Sequence, residues 1–176
     1  KLPELESISQ FTGRLSPGAL ILDLGCGIGN AAAQMRDQGF QLACFDGSPE
    51  MVKAANDAFS LNATTALFSD LDDIAIYDGI WANFSLLHAA KADFPTYLKA
   101  IHTALKPGGL FFTSLKSGKG EKRDQLGRFY AYYQEDELEN LLLQTGFTPE
   151  HTRRGALRGM AGVVEDWFGV LSWKER

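Results

Sequence analysis

Three glycines at alternate positions stand near the start of the chain, directly after a short apolar run that ends in an acid. The run covers residues 19–22, the acid is Asp23, and the glycines are Gly25, Gly27 and Gly29. Glycine allows the backbone to turn sharply and lets a ligand approach where a Cβ atom would block it. The helix-forming residues that follow would point backbone N–H groups at that ligand. The pattern favours a ligand-binding loop over a plain turn.

The spacing of these glycines distinguishes between two kinds of ligand. Dinucleotide-binding loops have the pattern G-x-G-x-x-G or G-x-G-x-x-A. This loop instead has the pattern G-x-G-x-G and continues with Asn30. Asp23, beside the loop, would repel a pyrophosphate but would attract an ammonium group. We therefore expect a small zwitterionic ligand, and the spacing disfavours NAD-dependent oxidoreduction.

Two further acids close the next two apolar runs. Asp46 ends the second run, and Asp70, followed by Leu71, ends the third. An acid at the end of the second strand of a parallel sheet can accept hydrogen bonds from a ribose diol. Asp70 and Leu71 are placed for an exocyclic amine and an adenine ring. Each acid alone is an ordinary loop residue, but together with Asp23 they indicate an adenosine that carries a charged amino-acid tail.

Short apolar runs alternate with segments of helical period through the first two thirds of the chain. Ser48 and Pro49 supply a cap and a first-turn proline, which predict a helix over residues 50–59. Another helix is predicted to begin at residue 93 or 94 and to be stopped by the Pro-Gly-Gly sequence at 107–109. The predicted strands cover residues 19–22, 41–45, 64–68, 79–82 and 110–115.

This alternation is typical of an α/β fold with a mainly parallel sheet covered on both faces. The last third of the chain departs from it. A helix is predicted over residues 135–145, and strands are predicted over 147–152 and 166–173 with no helix between them. These two strands are expected to form a hairpin at one edge of the sheet.

Four segments carry motifs in a fixed order along the chain: residues 21–29, 45–51, 77–88 and 105–110. In that order they resemble the motifs of the class I, Rossmann-like S-adenosylmethionine-dependent methyltransferases. A later segment contains Lys116-Ser117-Gly118, Asp124 and residues 127–133. It makes the chain most similar to small bacterial stand-alone members of that group.

The resemblance implies a fold and a cofactor. The fold is a three-layer sandwich around a seven-stranded, mostly parallel sheet whose last strand is antiparallel, in a single domain over residues 1–176. The cofactor is S-adenosylmethionine, with S-adenosylhomocysteine as product, bound over the carboxyl ends of the strands. Such proteins often carry a further N-terminal helix that covers the site. The chain begins just before the helix that leads to Asp23, so we expect a more open pocket here.

The resemblance also assigns residues to parts of the cofactor. These are Asp23, Gly25, Gly27 and Gly29 at the methionine part, Asp46 at the ribose hydroxyls, Ser48 and Met51 beside the adenine, Asp70 and Leu71 at the adenine edge, and Asn83 at the sugar or methionine region.

Methyl transfer from a sulfonium is an in-line displacement, and alignment of the reacting atoms supplies much of the acceleration. An alcohol or ammonium acceptor also needs a base whose pKa lies near the working pH. His88 is one candidate, and the alternative is a structural, hydrogen-bonded histidine. Tyr130 is the second catalytic candidate. Tyr130 and Tyr132 alternate in an extended stretch and so share a face, where they either line an acceptor pocket or pack on the sheet edge.

Two cations stand near the predicted acceptor side. Lys116 ends the fifth predicted strand, and Arg128 lies close to the tyrosines. They indicate a small anionic acceptor such as a carboxylate or a phosphate. The alternative is a salt bridge to Asp124 or to a neighbouring acid. The predicted substrate residues, all within a substrate-side insertion at 116–133, are Lys116, Arg128, Tyr130 and Tyr133.

The composition excludes other classes of protein. Of the 176 residues 45% are hydrophobic, which excludes a disordered chain, and the net charge of −5 disfavours nucleic-acid and membrane binding. No apolar stretch approaches the roughly 18 residues of a membrane span. Cys26 and Cys44 have no metal-ligand or C-x-x-C spacing, so reduced cytoplasmic thiols and no metal site are expected.

The sequence therefore predicts a cytoplasmic methyltransferase that acts on a small molecule. Two alternatives stay open. One is methylation of a tRNA base, because some wobble-uridine methyltransferases carry a similar Asp…Arg-Tyr-Tyr segment. The other is a cofactor-binding module without catalysis, which would serve as the partner subunit of another enzyme.

Overall fold

A computed structural model of the protein describes residues 3–158 and 162–175. None of the helices in these two ranges is both long and apolar enough to cross a bilayer. The elements are α1 (Pro3–Thr12), β1 (Leu20–Leu24), α2 (Asn30–Asp37), β2 (Gln41–Asp46), α3 (Pro49–Phe59), β3 (Thr64–Thr65), β4 (Tyr77–Asn83), α4 (Phe94–Ala104), β5 (Leu105–Lys116), β6 (Glu121–Arg123), β7 (Phe129–Ala131), α5 (Glu135–Gln144), β8 (Phe147–Arg158) and β9 (Val164–Lys174).

Seven strands form one sheet in the order β3-β2-β1-β4-β5-β9-β8. The first five of these are parallel to one another, and β9 is antiparallel to both β5 and β8. The predicted seven-stranded α/β sheet with an antiparallel last strand is therefore confirmed, as is the hairpin at one edge. The chain winds outward from β1 and then returns to its other side at β4. Ligands bind at the carboxyl ends of strands where the winding reverses in this way.

The central strands are apolar because both faces of the sheet are covered. Consecutive residues of β4, Ile80 and Trp81, point to opposite faces and are both fully buried. On one face the Trp81 ring stacks on Phe112 at 4.3 Å and meets Phe11 of α1 edge-on at 5.3 Å. On the other face Ile80 belongs to a cluster with Leu98 of α4. This double burial gives the loops at the sheet edge a rigid base.

Several strand boundaries differ from the prediction; β8, for example, extends to Arg158 rather than to residue 152. The third strand pairs only over Thr64–Thr65, rather than over 64–68. The Pro-Gly-Gly sequence at 107–109 does not separate helix from strand, because β5 begins at once after α4 and runs through it. The register of β5 against β4 shifts between Tyr77 and Gly79, so an irregularity in the ladder accommodates the turn-forming residues.

Both cysteines are buried and not disulfide-bonded. A hydrogen bond with Cys26, together with burial, raises the pKa of the Cys44 thiol well above its usual range. The thiol therefore stays protonated and a poor nucleophile.

Candidate functional site

The loop after β1 holds all three predicted glycines in left-handed backbone, with φ of 76°, 55° and 83° at Gly25, Gly27 and Gly29. A Cβ atom at Gly25 would lie 2.4 Å from that of Ser85, and one at Gly29 would lie 2.5 Å from Leu61 Cδ1. Packing therefore requires glycine at these two positions. At Gly27 a Cβ would have no neighbour within 4 Å, so this residue faces the open side of the loop.

Asp46, the last residue of β2, is hydrogen-bonded to this loop. Its Oδ2 accepts the N–H of Gly27 and its Oδ1 accepts the N–H of Ser48, both at 2.9 Å. Ser48 caps α3 as predicted, and its Oγ accepts the N–H of Met51 at 3.3 Å. Each carboxylate oxygen of Asp46 keeps a second lone pair for a ligand. The glycine loop, Asp46 and the start of α3 thus form one hydrogen-bonded unit at the carboxyl edge of the sheet.

A cleft of about 140 Å³ opens between the glycine loop and the end of β4. Asp23 lines it and is only 3% exposed, and Asn83 lines it from the last position of β4. A carboxylate at the base of a narrow cleft attracts a cationic group. The side-chain amide of Asn83 can also hydrogen-bond to polar groups of a ligand in this cleft.

Asp70 and Leu71 follow β3 at the same edge. Asp70 is exposed and its Oδ2 accepts the N–H of Leu67 at 2.8 Å, whereas Leu71 is buried. Leu67, which sequence reasoning missed, is 59% exposed and approaches Gly47, the residue after β2. Met51 is also exposed, at the start of α3. Leu67 and Met51 present apolar surface where the flat face of a ligand ring would be shielded from water.

The residue after β4 is strained and lines a second cleft. Phe84 has a φ of +51°, a region that costs a non-glycine residue about 1–2 kcal/mol. Ser114 of β5 holds it there: its Oγ accepts the Phe84 N–H at 2.8 Å and donates to Asn83 Oδ1 at 2.7 Å. Asn83 lines the first cleft and Phe84 lines the second. No sequence signal marked Ser114 as a positioning residue.

His88 lines the second cleft, which has a volume of about 190 Å³. Its Nδ1 lies 2.8 Å from the carbonyl oxygen of Phe129. Because a carbonyl only accepts, this contact assigns the proton to Nδ1 and the lone pair to Nε2. Partial burial of the ring, followed by the charges of Arg128 and Lys116, holds the pKa of His88 below its usual 6.5. The imidazole is therefore neutral near pH 7.

Tyr130 lies beside His88 in the second cleft, and their ring centroids are 4.8 Å apart. Lys116 Nζ lies above the Tyr130 ring, 3.7 Å from its centroid. Tyr132 lies on the same side, with its ring centroid 6.4 Å from that of Tyr130. Tyr130 lines this cleft and Tyr132 a neighbouring one, and both side chains, each 5% exposed, also pack in the hydrophobic core, so the structure does not choose between the two predicted placements.

The two predicted cations of this cleft are both ion-paired. Arg128 Nη2 lies 2.6 Å from Asp124 Oδ2, and Lys116 pairs with Glu165 of β9. The salt bridges considered as an alternative are therefore what the structure contains. Sequence reasoning missed Glu165 and Trp167, which also line the cleft. Both lie in β9, far from Lys116 in sequence.

Tyr133 does not join the other predicted substrate residues. Its side chain is 1% exposed, and its ring packs on Phe94 of α4 at a centroid distance of 4.8 Å. The alternation that places Tyr130 and Tyr132 on one face turns Tyr133 to the opposite one, into the core. Its contacts are those of a packing residue.

The sheet order, the glycine loop after β1 and the acid after β2 together define the class I, Rossmann-like methyltransferases that use S-adenosylmethionine. The sequence profile described as "Methyltransferase domain" matches residues 4–152. The chain belongs to this methyltransferase domain family.

Named relatives and solved structures agree with this membership. Carboxy-S-adenosyl-L-methionine synthase from Aliivibrio fischeri strain MJ11 is 34% identical over 130 residues, which cover 65% of this chain and 54% of that protein. The 2-methyl-6-phytyl-1,4-hydroquinone methyltransferase of Synechocystis is 24% identical over 188 residues, covering 98% and 56%. The chain thus spans about half the length of these relatives.

One solved structure is similar over nearly the whole chain. It is the Burkholderia thailandensis 1,6-didemethyltoxoflavin-N1-methyltransferase with bound 1,6-didemethyltoxoflavin and S-adenosylhomocysteine. Its TM-score is 0.81 at 26% identity, and the match covers 99% of this chain and 78% of that one. A Methanosarcina mazei S-adenosylmethionine-dependent methyltransferase has a TM-score of 0.82 at 19% identity, covering 99% and 98%, and supports the fold.

Proposed function

We propose that the protein transfers the methyl group of S-adenosylmethionine to a small-molecule acceptor. The observation that carries this proposal is the pair Asn83 and Phe84, adjacent residues that line two different clefts. A methyl group can pass only between ligands whose reacting atoms are held in line. Adjacent residues that line two clefts, near the winding reversal of the sheet, support a donor and an acceptor bound side by side.

The donor side is assigned to the residues around the first cleft. Gly27 leaves room for a ligand against the loop backbone, so the residues present fit the cofactor. Asp46 would accept the two ribose hydroxyls with its remaining lone pairs, and the buried Asp23 would face the ammonium group. The remaining proposed contacts are Gly25 and Gly29 in the loop, Ser48, Met51, Asp70 and Leu71 around the adenine, and Asn83 near the sugar or methionine.

The acceptor side is assigned to the second cleft, with residues 116–133 as its outer part. When bound, the cofactor supplies a sulfonium that releases its methyl group and leaves as a neutral thioether. His88 would take the acceptor proton at Nε2, because Nδ1 is occupied by the Phe129 carbonyl. Tyr130 would pack on the acceptor, and Lys116 and Arg128 would border it. The buried Tyr133 is not carried into this proposal.

The similar proteins support the small-molecule class. The Burkholderia structure contains 1,6-didemethyltoxoflavin together with S-adenosylhomocysteine. It is 26% identical to this chain, and the match covers 78% of it. The Aliivibrio relative is named for an S-adenosyl-L-methionine derivative.

Calorimetry with the whole chain tests the donor half of the proposal. S-adenosylmethionine and S-adenosylhomocysteine are each expected to bind with a dissociation constant in the low micromolar range, whereas NAD is not expected to bind. A panel of small acceptors, followed by release of S-adenosylhomocysteine, then tests transfer. Absence of binding by both S-adenosyl compounds would refute the function. Turnover on bulk tRNA but on no small molecule would favour the tRNA alternative.

Two alanine substitutions in the glycine loop should differ in how strongly they lower ligand affinity and thermal stability. Gly27→Ala points a methyl group into the open side of the loop, so S-adenosylhomocysteine affinity should fall by about tenfold or more. Its left-handed strain of about 1–2 kcal/mol should lower Tm by roughly 2–8 °C. Gly25→Ala forces a contact at 2.4 Å with Ser85 and should lower Tm much further.

Differential scanning fluorimetry and calorimetry on both variants measure these effects. A Gly27→Ala protein that binds S-adenosylhomocysteine as tightly as the wild type would show that the ligand does not approach this loop. Gly25→Ala serves as the comparison for a glycine that lines the cleft but is also required by packing against Ser85, so its loss of stability should be the larger effect.

A further inference from the structure

We propose that the acceptor of this enzyme is an amphipathic acid, a flat apolar body that carries an anionic group. The structure divides the acceptor region into an inner apolar cleft beside His88 and an outer cationic cleft on the β6–β7 hairpin. The anionic group is bound in the outer cleft, where Lys122 and Arg123 are the recognising residues. This inference rests on the proposed function and specifies its substrate.

The inner cleft offers aromatic surface. Five of its nine lining residues are aromatic or aliphatic. The Trp167 ring, 5% exposed, meets Phe84 edge-on at a centroid distance of 5.5 Å, and Tyr130 forms another wall. Flat apolar molecules bury the most surface against such rings. This compartment also contains His88, so the atom that is methylated lies in the apolar part of the acceptor.

The two cations that border the inner cleft are each already paired with a carboxylate. Arg128 donates from both Nε and Nη2 to Asp124 Oδ2, at 2.9 and 2.6 Å. Lys116 pairs with Glu165, whose other carboxylate oxygen accepts the hydroxyl of Tyr132 at 2.8 Å. Burial opposes ionisation of Glu165, but the hydrogen bonds from Lys116 and Tyr132 outweigh it, so its pKa lies below the usual value. The carboxylate stays charged at neutral pH, so Lys116, although its charge still helps to lower the pKa of His88, attracts an anion less than an unpaired cation would.

Lys116, Arg128 and Glu165 line both clefts and so form the boundary between them. A ligand that crosses this boundary meets paired charges of both signs. Paired charges attract a single anion far less than an uncompensated cation does. The anionic group of the acceptor therefore belongs beyond the boundary rather than at it.

The outer cleft, with a volume of about 200 Å³, has an excess of positive charge. Four cationic side chains and two acidic ones line it. Within the described parts of the chain, no carboxylate lies within ion-pairing distance of Lys122 or Arg123. Lys122 Nζ lies 4.4 Å from the centroid of the Tyr132 ring, and Arg123 Nη1 donates to the Gly127 carbonyl at 2.7 Å. These contacts involve no carboxylate, although Lys122 is close enough to Glu165 to help lower the pKa of that carboxyl.

A fluorescent acid and its neutral analogue test whether the acceptor region is divided into an inner apolar cleft and an outer cationic cleft. 8-Anilino-1-naphthalenesulfonate and N-phenyl-1-naphthylamine share one aromatic skeleton, and only the first carries an anionic group. Each is titrated into the whole protein saturated with S-adenosylhomocysteine, with excitation of tryptophan. Energy transfer from Trp167 reports the inner cleft, and Trp167→Phe identifies its share of the signal.

The double variant Lys122→Gln/Arg123→Gln should weaken the sulfonate probe about tenfold, with the loss decreasing at high salt, and should leave the neutral probe unchanged. The matched control Lys53→Gln/Lys99→Gln removes the same charge from the exposed surfaces of α3 and α4 and should change neither probe. Equal losses for both probes, or no loss for the sulfonate, would overturn the proposal. So would sulfonate fluorescence that persists in full without Trp167.

These outcomes are separate from failure of the proposed function. If S-adenosylhomocysteine does not bind in the preceding calorimetry, the methyltransferase function itself is wrong. If it binds and the two probes are not distinguished by the double variant, only the division of the acceptor cleft is wrong.

Discussion

Replacing Asp46 with alanine should weaken S-adenosylhomocysteine binding by about 100-fold or more. Two hydrogen bonds from the ribose hydroxyls to a carboxylate are each worth roughly 1.5–3 kcal/mol, and each 1.4 kcal/mol is a factor of ten. The substitution also removes the acceptor for the N–H groups of Gly27 and Ser48. The loop would then lose the contact that orients it toward the ligand. Calorimetry on the folded variant measures the loss.

Asp78→Ala is the matched control for Asp46→Ala. Asp78 also accepts a backbone N–H, that of Leu20 at 2.9 Å, and it pairs with Lys106 at 2.8 Å. It does so at the opposite edge of the sheet, where β1 begins. We expect this variant to lose thermal stability and to bind S-adenosylhomocysteine as the wild type does. If Asp46→Ala and Asp78→Ala change affinity equally, the Asp46 effect is structural and the ribose contact is wrong.

Replacing His88 with asparagine should lower kcat by about 10²–10⁴-fold for an acceptor that must lose a proton. The asparagine amide can still donate to the Phe129 carbonyl, as Nδ1 does, but its oxygen is too weakly basic to replace Nε2 as a proton acceptor. S-adenosylhomocysteine affinity should not change. The acceptor used for this measurement is the small molecule that the S-adenosylhomocysteine release assay identifies.

The pH profile separates a base from a packing residue. Activity requires neutral His88, so in the wild type it should rise with pH and level off, with a midpoint below 6.5. That limb should be absent in His88→Asn. Titration of the His88 ring by NMR without any acceptor gives the pKa of the free protein, which the pH profile of kcat/KM should reproduce. A kcat that His88→Asn leaves unchanged, or a limb that survives it, would exclude His88 as the base.

The same lowered pKa has a consequence for folding. The unfolded chain binds a proton at His88 more readily than the folded chain does, so this residue makes the free energy of unfolding fall as pH drops through 6.5. The contribution is complete above that pH and lost below the folded-state pKa.

The parallel half of the fold could be predicted because its signals are local. Ser48 and Pro49 predict the start of α3 from neighbouring residues alone, and in the structure Ser48 is the N-cap of that helix. The glycines after β1 mark a loop whose backbone is left-handed at each of them. Asp46 is predicted to end β2 because it directly follows the apolar run at residues 41–45.

The acceptor side could not be predicted, because its contacts join distant parts of the chain. Lys116 and Glu165 are 49 residues apart in sequence, and their pairing follows from the antiparallel register of β5 and β9. The left-handed backbone at Phe84 depends on Ser114, 30 residues later. The β6–β7 hairpin pairs Lys122 with Tyr130, and the sequence indicated only an extended stretch there.

The junction between Asn83 and Phe84 separates the proposed donor and acceptor residues along the sequence as well as in the structure. The proposed donor residues all precede it, whereas the residues that line the acceptor clefts all follow it. An engineer who randomises residues 121–132 and 157–167 would therefore sample new acceptors while the donor site stays intact. Chimaeras with a crossover at residue 83 whose downstream parent also has a serine at the position of Ser114 should keep S-adenosylmethionine binding and take their acceptor from that parent.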